Sequence, residues 1–134
     1  MRKEIRNAIV VGIAVVMPLI AAGPAMANVT SCPSNGNPGG GQRCTTLSNG
    51  VLAVSGVSDG TYVNVNYYRA SGGSLTGRLG WERNGTTTWA ANRNMSTVPL
   101  HYSNQWGPNA SCNPIIGKLN ASGSVYVTPP LPQC

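Results

Sequence analysis

The chain has 134 residues, of which only 9% are charged, and it carries 17 glycines, 10 prolines, four cysteines and a net charge of +6 at pH 7. So few charged residues argue against a disordered chain, and the length suits one domain. With one histidine and three acidic residues, the chain has few groups for acid–base catalysis or for binding a metal.

The first 27 residues have the features of a signal peptide. A charged start, "MRKEIRN", precedes an apolar run from Ala8 to Gly23, and the small residues of "AMA" (25–27) suit a cleavage site. We therefore predict a single secreted β domain over residues 28–134, exported by the general secretory route of a bacterium. This mature form keeps six basic and two acidic residues, has no predicted membrane span, and is expected to be a monomer.

Residues 28–50 form a loop rich in glycine and proline, which we expect a disulfide to close. An even number of cysteines in a small exported domain predicts two disulfides. Three pairings are possible for Cys32, Cys44, Cys112 and Cys134. Sequence order favours 32–44 and 112–134, although pairing 44 with 112 would constrain more of the chain. Because the cysteines lack C-x2-C spacing and the chain has one histidine, we predict no metal site. We also expect no cofactor.

The segment 51–92 is predicted to be a meander of four antiparallel strands. Its first two strands, 51–57 and 61–69, flank Asp59-Gly60, which is a strong signal for a two-residue hairpin turn. That turn pairs Val54 with Val65 and Leu52 with Tyr67, and so places the apolar residues of both strands on one face.

The meander is expected to continue with 75–83, joined through a bulged loop at Gly72–Ser74, and with 86–92 after Asn84-Gly85. In this register Trp81 faces Thr88, and Trp89 covers Gly80.

Three later strands are predicted at 96–102, 114–119 and 123–128, with a turn in "NASGS". About seven strands with a thin apolar face indicate a small all-β fold. We predict an antiparallel β-sandwich, immunoglobulin-like in general shape, with a small β-barrel as the alternative.

The stretch "GVSDGTYVNV" (56–65) resembles the first hairpin of the enediyne-binding apoproteins related to neocarzinostatin, which are secreted two-disulfide sandwiches. The cysteine positions of this chain do not follow that family. The resemblance therefore implies the fold class alone.

The second face of the meander carries aromatic and amide side chains where a solvated face needs neither. Flat aromatic rings stack on the C–H faces of sugars, and amides hydrogen-bond to hydroxyl groups. We therefore predict a non-catalytic recognition domain that binds an extracellular glycan or an anionic polymer. A second buried sheet face, or stabilising cross-strand aromatic pairs, would also explain the aromatic residues. The predicted binding residues are Tyr62, Asn64, Asn66, Tyr68, Arg78 and Trp89.

Two other functions are considered. The loop 103–113 carries Trp106 beside Gly107-Pro108, which could anchor a protein target of a toxin or a protease inhibitor, unless the indole covers the end of the fold. A secreted ribonuclease would need Glu82, His101 and one or more of the arginines at positions 69, 78, 83 and 93 to meet. The alternative for that set is a Glu82–Arg ion pair and a surface histidine, and we assign no catalytic residue.

Overall fold

The structure is a computed structural model that describes residues 30–57 and 61–134. The predicted signal peptide and the Asp59-Gly60 turn lie outside these residues. Within the described ranges the chain forms nine strands and no helix. The strands are β1 (Gln42–Leu47), β2 (Gly50–Val57), β3 (Tyr62–Arg69), β4 (Thr76–Arg83), β5 (Thr86–Trp89), β6 (Arg93–Asn94), β7 (Leu100–Trp106), β8 (Ile116–Ala121) and β9 (Ser124–Val127).

The strands form two antiparallel sheets. The first sheet has the order β1-β2-β3-β7, and the second has the order β5-β4-β8-β9, with β6 also paired to β4. The predicted number of about seven strands was too low. The prediction missed β1, which lies inside the presumed loop 28–50, and the two-residue β6, whose sequence is too short to show a periodic pattern.

The β2–β3 hairpin has the register that the sequence predicts. Val54 is opposite Val65, and Leu52 is opposite Tyr67. All four side chains are buried in the core. The alternation of apolar residues in both strands therefore determines which face each strand turns inward.

The predicted four-strand meander is wrong, because β3 and β4 belong to different sheets. Besides β2, β3 pairs with β7, with Tyr67 opposite Tyr102. Besides β5 and β6, β4 pairs with β8, with Leu79 opposite Leu119. Period-two alternation identifies the buried face of a strand but not its hydrogen-bonding partner. As a member of the second sheet, β4 buries its apolar face against the core residues of the first sheet.

One hydrophobic core takes side chains from both sheets. Its fully buried members include Val63 and Val65 from β3 and Leu79 from β4. The remaining members are Leu52, Val54, Tyr67, Trp81, Met95, Tyr102, Ile115, Leu119, Ala121 and Leu131. The two sheets are thus held together by apolar burial.

Tight turns close the hairpins of the second sheet. Asn84 and Gly85 both have positive φ angles, 52° and 77°, as a type I′ turn requires. The prediction that they join antiparallel strands is confirmed, with Trp81 opposite Thr88 and Gly80 opposite Trp89. Ser122 and Gly123 repeat this geometry between β8 and β9.

The favoured disulfide pairing is confirmed, with bonds Cys32–Cys44 and Cys112–Cys134. Cys44 is 1% exposed and packs with Val51 and Ala53, with Cys32 against them. Since Ala53 lies between the core residues Leu52 and Val54, this small cluster is on the opposite side of β2. The N-terminal segment therefore covers part of the first sheet away from the core.

Candidate functional site

The predicted binding residues lie on two different sheets. Tyr62, Asn64, Asn66 and Tyr68 alternate with buried residues of β3, so their side chains point away from the core on the first sheet. Arg78 and Trp89 lie on the second sheet. The predicted continuous face, with Arg78 near Tyr68, is therefore wrong, for the same reason that the meander is. We call the two surfaces away from the core the first outer face and the second outer face.

The two asparagines of the first outer face bond to the neighbouring strand β7. The Ser103 hydroxyl donates to Asn64 Oδ1 at 3.2 Å. His101, in the tautomer with a proton on Nε2, donates to Asn66 Oδ1 at 2.6 Å. Asn64 is only 9% exposed. These cross-strand bonds explain the asparagines in a strand, where this residue is otherwise depleted.

His101 is partly buried beside Asn66, and burial lowers its pKa below the ordinary value of 6.5. Burial acts in this direction because it disfavours the charged imidazolium. The fold therefore shifts the protonation equilibrium of the chain's only histidine towards the neutral form.

The aromatic residues of the first outer face are partly buried. The Tyr62 ring occupies the space that a Cβ on Gly107 would need, and Asn109 N donates to the carbonyl of the adjacent Thr61 at 2.6 Å. Tyr62 thus supports the connection that follows β7. Tyr68 lies opposite His101 at the other end of the strand pair.

The second outer face carries an aromatic–cation pair. The guanidinium carbon of Arg78 lies 4.7 Å from the centroid of the Trp89 ring, within the range of a cation–π interaction. The indole also lies against Gly80, as the sequence predicts, and fills the space of a missing Cβ. Leu79, between Gly80 and Arg78, is in the core, so alternation directs Arg78 outward. Trp89 is partly exposed.

Lys118 extends this surface. Its ammonium forms an ion pair with Glu82 and donates to the Thr87 hydroxyl at 2.9 Å. The expectation that Glu82 pairs with an arginine is thus corrected, because β8 places Lys118 diagonally beside it, opposite Gly80. No local sequence pattern points to Lys118, because its strand is adjacent to β4 only in the tertiary structure.

The structure does not bring the ribonuclease set together. Glu82 follows the core residue Trp81 in the second sheet, and His101 precedes the core residue Tyr102 in the first. Alternation therefore directs the carboxylate and the imidazole outward from opposite sheets. General acid–base catalysis needs both groups within hydrogen-bond reach of one substrate, and this arrangement does not supply that.

Trp106 does not lie in a loop. Residues 103–106 belong to β7, and Trp106 is opposite the buried Val63. Its partly buried side chain packs against the core, because its position in the strand alternates with outward-facing Gln105. The exposed anchor required for the protein-directed effector is therefore not formed.

Arg69, one of the arginines considered for the ribonuclease set, is a buried cation. It is 2% exposed at the end of β3. Its Nη1 donates to the Met95 carbonyl at 2.6 Å, and its Nη2 donates to the Gly73 carbonyl. The signal was present in the sequence, since Arg69 follows Val63, Val65 and Tyr67 at period two and therefore belongs to the inward face.

Across residues 30–57 and 61–134 no group of three or more histidine, cysteine, aspartate or glutamate side chains lies together as a metal site would require. In the same part of the chain, no helix has the length and apolarity needed to cross a membrane.

Comparisons with known proteins supply no relative. No protein-family model matches the chain, and searches of curated proteins and of solved structures found no significant match.

Proposed function

We propose that this protein is a secreted, non-catalytic recognition domain that binds an extracellular polymer, by preference a glycan, through the second outer face. The observation that carries the proposal is the Arg78–Trp89 pair on a partly exposed sheet surface. An indole ring offers a flat apolar surface to a sugar ring, and a guanidinium donates to hydroxyl or acidic groups.

The residues around the pair form two rows across the sheet. One row joins Arg78 to Asn120 and then to Val125. The other begins at Trp89 opposite Gly80 and continues through Lys118 to Val127. Each row contains both hydrogen-bonding and apolar groups, which suits a polymer whose units present both.

The second row is long enough for a polymer. It crosses four strands, so it spans roughly 14 Å at the usual spacing between neighbouring strands. Val125 and Val127, at the far ends of the first and second rows, are 53% and 47% exposed. Exposed apolar side chains rimmed by polar ones are typical of binding surfaces.

We also infer that the two sheets stack as a β-sandwich, immunoglobulin-like in general shape, rather than closing into a barrel. Their shared core supports stacking. The contact between the sheet edges at β1 and β9 is a side-chain bond from the Thr45 hydroxyl to the Val127 carbonyl, and a closed barrel would need a ladder there. The two disulfides are compatible with an extracellular location.

The proposal is tested by pull-down of the disulfide-bonded protein with cellulose, chitin, cell-wall polysaccharide and teichoic acid. We expect retention by at least one polymer, lost in Trp89→Thr and kept in the matched variant Tyr68→Thr on the first outer face. Retention by none of the four, or equal loss in both variants, would overturn it.

A further inference from the structure

A cavity of about 230 Å³ opens between the two sheets at the end where β3 finishes. Leu47, Leu75, Leu119 and Ala121 supply apolar walls, and Tyr67 and Tyr126 supply phenol rings. Asn49, Ser74 and Ser122 add polar groups from three separate connections. The cavity is distinct from the second outer face, because it is reached from the end of the sheets.

Arg69 lines this cavity, and only 2% of its surface is exposed to solvent. A guanidinium has five N–H donors. The Met95 and Gly73 carbonyls accept from its two Nη atoms. Its Nε is buried and has no hydrogen-bond partner among the described residues. A buried donor left without an acceptor costs free energy. A ligand that supplied an acceptor to the Arg69 guanidinium would therefore recover part of this cost.

The charge of Arg69 is also uncompensated in the described part of the chain. The one ion pair found there joins Lys118 to Glu82, on the second outer face. Tyr67 does not serve as the counter-charge, since burial raises its pKa even though the nearby guanidinium opposes that rise. Buried charges are ordinarily paired, and backbone carbonyls supply only dipoles.

We propose that the end cavity is a binding site for a small ligand carrying a carboxylate, with the carboxylate at the Arg69 guanidinium and a ring or short apolar body between the leucines and the two tyrosines. A guanidinium recognises carboxylates by paired, charge-assisted hydrogen bonds. The carboxylate belongs to a free organic acid or to an acidic sugar, and the two sources differ in the body that must fit the apolar walls.

The test measures amide chemical shifts and the thermal unfolding temperature of the disulfide-bonded protein as a small molecule is added. The acids are benzoate and glucuronate, and their neutral counterparts are benzamide and glucose, respectively. We expect at least one of the acids to shift the resonances of Ser74, Ser122 and Tyr126 and to raise the unfolding temperature with concentration. Its neutral counterpart should bind about tenfold more weakly, since it lacks the charge-assisted bond. Benzoate and glucuronate distinguish a free acid from an acidic sugar.

Direct removal of Arg69 would also leave the Met95 and Gly73 carbonyls without their donor and so destabilise the fold itself. A matched pair on the same connection avoids this problem. Ser74→Asp places a carboxylate on the cavity wall, whereas Thr76→Asp makes the same charge change outside the lining, at an exposed position where the same connection ends. We expect Ser74→Asp to raise the unfolding temperature and to abolish binding of the acid, and Thr76→Asp to do neither.

If neither acid shifts the resonances of the cavity residues, the proposal is overturned and Arg69 has only a structural role. The same conclusion follows if a neutral counterpart binds as tightly as its acid, or if Ser74→Asp leaves binding unchanged.

Discussion

Gly80 and Trp89 are directly opposite residues of neighbouring strands, and the indole ring occupies the space that a Cβ on Gly80 would fill. The absence of a side chain at Gly80 thus allows the ring to lie against the sheet. That position also places Trp89 beside Arg78.

Replacing Gly80 should therefore disturb both stability and the proposed binding surface. A Cβ at this position would also lie 2.9 Å from the Thr88 carbonyl, so backbone as well as the ring must move. We expect Gly80→Ala to lower the free energy of unfolding by about 1–3 kcal/mol, as overpacking usually does, and to weaken polymer retention. Urea unfolding and the pull-down measure the two effects.

Gly73→Ala is the control for this variant, because a Cβ there meets nothing within 4 Å. It should change stability by less than about 0.5 kcal/mol. Equal stability of the two variants would contradict the packing of Trp89 on Gly80.

The Lys118–Glu82 ion pair allows neutral and anionic polymers to be distinguished. Glu82→Gln removes the carboxylate and leaves the ammonium on the second outer face. Partly exposed ion pairs contribute little to stability, about 1 kcal/mol or less, so the variant should stay folded. We expect it to bind teichoic acid more tightly, with a steeper dependence on salt, and to leave neutral glycan binding unchanged. Loss of neutral glycan binding would mean that the Glu82 carboxylate itself contacts the sugar.

His101 should make stability depend on pH. Burial lowers its pKa in the folded state below 6.5, so the unfolded chain binds the proton more readily. The stabilisation is therefore fully present at pH values above the pKa of His101 in the unfolded chain. It is lost as the pH falls from there through the pKa of His101 in the folded protein. We expect the urea midpoint to fall as pH is lowered from about 7.5 to 5, an interval above the ordinary carboxyl pKa values.

His101→Gln keeps a donor for Asn66 and removes the titration, so its midpoint should vary less over the same interval. Titration of the imidazole by NMR supplies an independent check, and an apparent pKa above 6.5 would contradict the assigned direction.

The Cys112–Cys134 disulfide holds the C-terminal segment against the core. Leu131 is 3% exposed, and its backbone exchanges two hydrogen bonds with Ile115, at 2.8 and 3.0 Å. The cysteines are 22 residues apart. We expect the Cys112→Ser/Cys134→Ser double variant to lose about 3 kcal/mol of unfolding free energy on the chain-entropy model. Gln133→Ser, which keeps the disulfide, serves as the comparison in urea unfolding. No difference between these two variants would mean that the cross-link adds nothing beyond the Leu131 contacts.

Several local features follow from the sequence without the structure. Asn84-Gly85 predicts its hairpin because both residues tolerate positive φ angles, and the two strands keep the predicted register. Alternation in β2 and β3 predicts their buried faces. Sequence order favours the observed disulfides, because each closes a short segment.

The candidate site was less predictable. The Trp89–Gly80 contact followed from one hairpin, but the position of Arg78 relative to Tyr68 depended on the partner of β3. Lys118 reaches Glu82 only through the pairing of β4 with β8. The end cavity combines residues from several connections and strands, and no local pattern specifies their meeting.

The amino-acid sequence by itself therefore determined the Asn84-Gly85 turn, the inward face of each early strand and the favoured cysteine pairs, since these depend on backbone preference, alternation and short chain separation. Only the tertiary structure decided that β3 pairs with β7 and β4 with β8. The physical reason is that apolar burial has no direction: an apolar strand face is equally satisfied in either sheet, and the packing of the whole chain selects between them.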